Sequence, residues 1–328
     1  MVPGHLREAR ETSAEGSAWL DRLPGLIAEA CRRWGLEIIG EAYDGGVCGW
    51  VAPVRLTSGS PHAGGSPHAG GSRQAGADAV LKVCWPHPEA ATEAAALRWW
   101  DGAGAIRLLA EDSGAWVMLL ERCLPGTPLR DAGLPNERGL AIGAELLNSL
   151  WGKGLPAGDD LRFDSMLQIC NGWADLAERR VEEYGAALQA LGTDPGILAL
   201  GVELLRTLPR SAERQVLVHG DFNPGNVLAA GRMPYLAIDP KPMVGDPAYD
   251  PWSLVAQLDW PFRLTDKARV VPQRIRRLAE SLDLAPERIA AWGVARDVEG
   301  GLWAASEGKV ADGAKWVRSA SVVAPMLG

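Results

Sequence analysis

Lysine is scarce in this chain. Of 33 basic residues six are lysine, namely Lys82, Lys153, Lys241, Lys267, Lys309 and Lys315, and Lys82 alone precedes Lys153. Lys82 therefore stands out as a lysine kept where arginine is otherwise used. Cysteine is sparse too. Cys31, Cys48, Cys84, Cys123 and Cys170 are odd in number, widely spaced and free of any CxxC. That excludes a disulfide framework and a cysteine zinc site, and fits thiols in a reducing compartment. No uninterrupted apolar run approaches the ~18 residues of a helical membrane span. The opening MVPGHLREARETSAEG has no apolar core, so it is not expected to act as a signal peptide. Basic surplus is also missing: net charge is −8 and the sequence pI is about 5.3. This argues against a nucleic-acid partner, which needs a basic face, and suits a cationic small molecule. The expectation is a cytoplasmic monomer that engages neither nucleic acid nor membrane.

What is present is an ordinary globular composition, 47% apolar and 23% charged over 328 residues, enough for one large domain or two smaller ones. Residues 1–16 are polar and expected to fray. Helical spacing runs from Ser17 to Trp34, with Pro24 expected to divide it and Gly35 to stop it. Leu36–Ala42 and Gly49–Leu56 read as a hairpin around the Gly-rich turn Tyr43–Gly49. Residues 58–77 repeat the hexapeptide GSPHAG in tandem; nothing there can bury, so a disordered insertion is expected. Its His62 and His68 lie on a Gly/Ser chain that points to a slipped duplication, not a metal site. Asp78–Trp85 is a third strand, with Val80, Lys82 and Cys84 on one face. A helix over Pro88–Trp100 and strands over Ala105–Ala110 and Ala115–Arg122 complete an α+β unit: a five-stranded antiparallel sheet with a packed helix, residues 1–123. From 124 to 328 the pattern is mostly helical: Asn136–Leu150, a broken Leu161–Leu191, Asp194–Leu208, then helices from Trp252, over Arg269–Leu282 and over Pro286–Leu302. Short extended stretches, Gln215–His219 and Met233–Ile238, interrupt it.

Chemistry concentrates at His219-Gly220-Asp221-Phe222-Asn223-Pro224-Gly225-Asn226 and at Ile238-Asp239-Pro240. Asp221 and Asn226 span a loop with a Pro-Gly turn inside, so both can enter one site. A hairpin between Asn226 and Asp239 would set these two side by side. An amide oxygen plus a carboxylate is a hard-oxygen pair suited to magnesium delivered with nucleotide phosphates. A further carboxylate can accept a hydroxyl proton during phosphoryl transfer. Taken singly, each such residue more often serves structure, as a turn cap or loop amide; the combined spacing between two strand-like segments points to function.

HGDFNPGN resembles the HxDxxxxN catalytic loop of aminoglycoside phosphotransferases, members of the protein-kinase-like fold. IDP resembles their metal-binding counterpart of DFG, and GDPAYD the segment after it. VLKVCWPHPEAATEAAALRWWDGAGAIRLLAED, VMLLERCLPGTPL and IDPKPMVGDPAYD resemble the streptomycin 6-phosphotransferase and hydroxyurea phosphotransferase branch, over about residues 36–305. The resemblance implies a two-lobed kinase that moves the γ-phosphate of ATP to a hydroxyl. Asp221 is then the base, and Asn226 and Asp239 ligate Mg²⁺. It places Lys82 on the α/β-phosphates, with Glu93 as its ion-pair partner and Glu89 as runner-up. Gly45 and Gly46 cover the phosphates, although the turn YDGGVCG departs from GxGxxG. The carbonyl of Glu121 and the N–H of Cys123 meet the purine. His219 orders the loop, and Asp246 and Asp250 are structural. The implied acceptor is a cationic aminocyclitol such as streptomycin, with Asp159, Asp160, Asp164, Asp297 and Glu299 available to it. A hydroxyurea-like or metabolite acceptor, or a non-catalytic nucleotide-binding protein, are the alternatives. No APE-like anchor is evident, which disfavours a protein kinase.

Overall fold

The computed structural model describes residues 2–44, 46, 48–58, 60, 76–155 and 163–328. The chain divides into two compact units, Met1–Gly126 with Ala230–Arg232, and Thr127–Ala229 with Met233–Gly328.

The first unit runs α1 (Gly4–Arg10), α2 (Ala14–Trp34), β1 (Leu36–Ile38), β2 (Gly49–Leu56), β3 (Asp78–Cys84), α3 (Glu93–Trp100), β4 (Leu108–Asp112) and β5 (Val117–Glu121). The strands form one antiparallel sheet in the order β1-β2-β3-β5-β4. Alternation fixes its two faces. Trp50, Ala52, Val54 and Leu56 of β2 and Ala79, Leu81 and Val83 of β3 pack with Trp19, Leu20, Leu23 and Trp34 of α2. Lys82, paired across the strands with Val51 and Met118, falls on the other face.

Several expectations are corrected here. Residues 4–10 are helical, because Leu6 is fully buried in the same core. Pro24 does not divide α2. Its missing N–H costs one helical bond, about 3 kcal/mol. Burying large side chains on both sides of it, at roughly 1.5–3 kcal/mol each, outweighs that. The helix expected from Pro88 is a short 3-10 turn at Pro88–Ala90; Thr92 leaves helical geometry, and α3 begins at Glu93. The ends of the 58–77 insertion are tied down: buried Ser60 donates its hydroxyl to Trp34 O at 2.6 Å, and Leu56 and Gly76–Ala77 exchange backbone bonds. Residues 59 and 61–75 lie outside the described residues.

The second unit contains α4 (Asn136–Trp151), α5 (Met166–Ala190), α6 (Pro195–Thr207), β6 (Val216–Val218), β7 (Val227–Ala229), β8 (Tyr235–Ala237), β9 (Met243–Gly245), α7 (Pro251–Gln257), α8 (Lys267–Leu282), α9 (Pro286–Ser306) and α10 (Val310–Val323). Helix α5 is unbroken, unlike the expectation, and α10 was not anticipated. Helix α9 is buried along most of its length, around Trp292, Val298 and Leu302, and packs with α5, α6, α8 and α10. Gly301 and Gly313 let α9 and α10 touch backbone to backbone: a Cβ on Gly313 would lie 2.3 Å from Gly301 O. Two small antiparallel ladders, β6–β9 and β7–β8, carry the loops described below. Among the described residues no helix is long and apolar enough to cross a membrane.

Leu81→Ala should lower stability by about 2–5 kcal/mol, as a core leucine truncation does, read as a lower urea midpoint with an unchanged slope. Excising 61–75 and rejoining with a short turn should leave the melting temperature within about 2 °C, since loop length changes stability slowly.

Candidate active site

The loop His219–Asn226 leaves β6 and enters β7, and both ends are pinned by backbone bonds. Val227 pairs with Ala237, and Ile238 N–H donates to Asn226 O at 2.9 Å, so the β7–β8 hairpin sets Asn226 against Ile238 with Asp239 next in line. Lys241 N–H then donates to His219 O at 2.8 Å, returning the chain to the β6–β9 ladder. Asp239 makes this turn with φ 56, a left-handed conformation that costs a non-glycine residue about 1–3 kcal/mol.

Asp250, fully buried, accepts the N–H groups of His219 at 2.8 Å and Gly220 at 2.9 Å. The tautomer of His219 follows from its partners. Asp221 N–H can only donate, so Nδ1 accepts it at 3.3 Å, and Nε2 carries the proton given to Ile238 O at 3.1 Å. Burial pushes the imidazole pKa below its ordinary value, against the opposing pull of the Asp250, Asp221 and Asp239 carboxylates. The ring is neutral and structural. Phe222, fully buried, meets its edge at 5.5 Å between centroids and anchors the loop from below.

Above that floor the side chains converge on Asp221. Asn223 Oδ1 accepts from Gly225 N at 2.9 Å and Asn226 N at 3.2 Å, an Asx turn, and its Nδ2 donates to Asp221 Oδ1 at 3.0 Å. Asn226 Nδ2 donates to Asp221 O at 3.0 Å and Oδ2 at 3.1 Å. Both amide hydrogens of Asn226 are thereby used, which leaves its Oδ1 as the atom able to meet a cation. Lys241 Nζ donates to Asp221 Oδ2 at 3.2 Å. The structure thus gathers Asp221, Asn226 and Lys241, with Asp239 two residues from that lysine.

In the first unit Lys82 Nζ meets Glu93 Oε1 at 2.8 Å and Oε2 at 2.7 Å, and both side chains are buried. Glu93 sits in the first turn of α3, where the helix dipole favours a carboxylate. Gly46 is exposed and accepts a hydrogen bond from His5 Nε2 at 2.9 Å. Gly45 and the side chain of Glu89 lie outside the described residues. Glu121 holds Arg232 through contacts of 3.0 and 3.1 Å and accepts Arg107 N–H at 2.9 Å. Arg232 also donates to Gly102 O at 2.8 Å and Ala105 O at 3.0 Å. The Cys123 thiol is pushed up to about 12 by burial, with Glu121 adding and Arg232 opposing.

Among the acids considered for an acceptor, Asp297 accepts Trp252 Nε1–H at 2.8 Å and burial pushes its carboxyl up to about 7. Glu299 faces Arg180 at 3.4 Å. Asp164 O accepts Val244 N–H at 2.9 Å. Asp159 and Asp160 lie outside the described residues. Sequence reasoning assigned no role to Lys241 or Arg232; the prolines on either side of Lys241 were the available signal for the first.

Comparison with known proteins gives this geometry a context. The family model for aminoglycoside/hydroxyurea antibiotic resistance kinases matches residues 60–308. The chain belongs to this family. A streptomycin 6-kinase of Streptomyces griseus is 34% identical over 320 residues, covering 94% of this chain and 92% of its own. A hydroxyurea phosphotransferase of Kitasatospora aureofaciens is 33% identical over 327 residues, covering 94% and 82%. Among solved structures, spectinomycin phosphotransferase in complex with ADP and spectinomycin shares the fold, with a TM-score of 0.55 at 11% identity over 92% of this chain and 98% of that one. The family member described here has the expected α+β, protein-kinase-like fold and is a nucleotide-using phosphotransferase with an alcohol group as acceptor. Its substrate is a small molecule.

Gly220→Ala tests the loop. Gly220 has φ 81, and a Cβ there would lie 1.9 Å from Lys241 O. The variant should lose at least about 2 kcal/mol of stability, from backbone strain plus the clash, and kcat should fall more than ~10-fold. Thermal melts and initial rates check both.

Proposed function

We propose that this kinase transfers the γ-phosphoryl group of ATP to a ring hydroxyl of streptomycin or a close guanidinium-bearing aminocyclitol, and so confers resistance. The observation that carries the reading is the triple hold on Asp221. Asn223, Asn226 and Lys241 all donate to its carboxylate, which presents a fixed acceptor for a hydroxyl proton. Asn226 Oδ1 and Asp239 supply two hard oxygens for Mg²⁺. Among the described residues no group of three or more His, Cys, Asp or Glu side chains is placed to hold a metal. An ion here would complete its shell with phosphate oxygens and water. When bound, magnesium neutralises charge on those phosphates. Lys82, oriented by Glu93, binds the α/β-phosphates, and the backbone of Glu121 and Cys123 receives the purine.

The acceptor assignment draws on the streptomycin 6-kinase relative and on the net charge of −8, which favours a cation. The hydroxyurea phosphotransferase relative, nearly as similar, supports a second reading in which a hydroxyurea-like molecule is modified.

Purified protein with labelled ATP should phosphorylate streptomycin and leave kanamycin untouched; mass spectrometry showing modified hydroxyurea and unmodified streptomycin selects the second reading. Asp221→Ala should retain under about a tenth of wild-type kcat, a loss above ~1.4 kcal/mol, while MgATP still binds. Asn226→Ala and Asp239→Ala should weaken MgATP in a magnesium titration. Unchanged affinity and rate in both would remove their metal role.

A further inference from the structure

The segment His219–Asn226 contains no lysine or arginine, yet phosphoryl transfer brings negative charge, spread over three equatorial oxygens, up to Asp221. A cation reaches that carboxylate from outside the loop: Lys241 Nζ, 3.2 Å from Asp221 Oδ2. We infer that Lys241 is a positioning residue for the transfer step, holding the Asp221 carboxylate and remaining beside it as the compensating charge. This rests on the reading of Asp221 as base. In the step itself the acceptor oxygen bonds to the γ-phosphorus, the bond to the ADP oxygen breaks, and the hydroxyl proton passes to Asp221. Lys241 keeps its own protons.

The backbone is built to aim this side chain. Lys241 N–H is bonded to His219 O at 2.8 Å. Its carbonyl lies so close to Gly220 that a Cβ there would come within 1.9 Å. Pro240 fixes its own φ, and Pro242 confines Lys241 to extended conformations, so the residue enters the site with little freedom left to lose. Asp239 turns through φ 56 just upstream. Stability does not account for this arrangement. The ion pair is part-exposed, at 37% for lysine and 27% for aspartate, and such pairs contribute little. An ammonium is suited to the place: a compact charge holds the Asp221 carboxylate through a charge-assisted bond.

Lys241→Met should lower kcat about 100-fold with KM for MgATP changed less than about threefold, the signature of an interaction used in the transition state. Lys241→Arg should restore at least about a tenth of wild-type kcat, because the charge returns. Added to Asp221→Asn, Lys241→Met should cost less than about threefold more, since the lysine acts through that carboxylate. Rates are measured with streptomycin, or with hydroxyurea if that is the molecule modified. Melting curves accompany each variant, and Lys241→Gln serves if the methionine variant does not fold. A Lys241→Met kcat within about threefold of wild type, with Asp221→Ala inactive, overturns the inference and leaves the proposed function standing. A fully additive loss in the double variant overturns it as well. An active Asp221→Ala enzyme overturns the reading beneath it.

Discussion

A buried carboxylate, Asp250, holds two consecutive backbone amides, those of His219 and Gly220. The rest of the His219–Asn226 loop depends on that hold. A buried anion is costly unless its acceptor sites are filled, and each hydrogen bond to a charged group contributes about 1.5–3 kcal/mol. With both amides taken, Gly220 is kept in its left-handed conformation, the carbonyl of Lys241 fits against it, and Asp221 emerges from a floor that cannot tilt. Asp246, four residues earlier, ties the same segment to α9 by accepting Arg288 Nε and Trp292 Nε1, each at 2.6 Å. The segment GDPAYD is thus a brace with a carboxylate near each end.

The Lys82–Glu93 pair follows a different logic. Both charges are buried, so desolvation offsets much of their attraction, and removing one partner would leave an uncompensated charge at about 3–5 kcal/mol. Such a pair adds little net stability over an apolar filling. What it provides is a lysine of fixed direction on the sheet face opposite α2. Asp221 is held by neutral amides and a part-exposed ammonium, and it stays reachable from solvent. One unit carries a locked cation, and the other carries a carboxylate that is oriented but open.

Much of this was legible in the residues. Period-two alternation in VLKVC put Lys82 on the face away from Leu81 and Val83, and the observed sheet keeps that division. The helical spacing of Asn136–Leu150 and Pro286–Leu302 was equally plain, since long amphipathic patterns survive local detail; the helices run on to Trp151 and Ser306. The misses have local causes. Pro24 was read as a break because intrinsic propensity cannot see the shared core on both sides of it. Thr92 was read as mid-helix because its departure from helical angles has no compositional mark. Leu6 looked like part of a polar tail because one apolar side chain does not make a pattern. At the site, the HGDFNPGN spacing marked Asp221 and Asn226. The contact between Lys241 and Asp221 spans twenty residues and two ladders, and no periodicity records it.

Arg232 has a consequence for anyone who would take the protein apart. It lies at the tip of the β7–β8 hairpin, yet the three residues Ala230–Arg232 belong to the compact unit otherwise made of Met1–Gly126. There its guanidinium joins Glu121, Gly102 and Ala105. No single cut in the gene separates the two units. A fragment ending at Gly126 would lack the cation that neutralises Glu121 and fills two carbonyls, while its complement would carry an arginine with nowhere to go. The first unit is complete only as part of a chain that has already been synthesised past residue 232. Shuffling of this unit between relatives has therefore to carry a short stretch of the other half's hairpin with it.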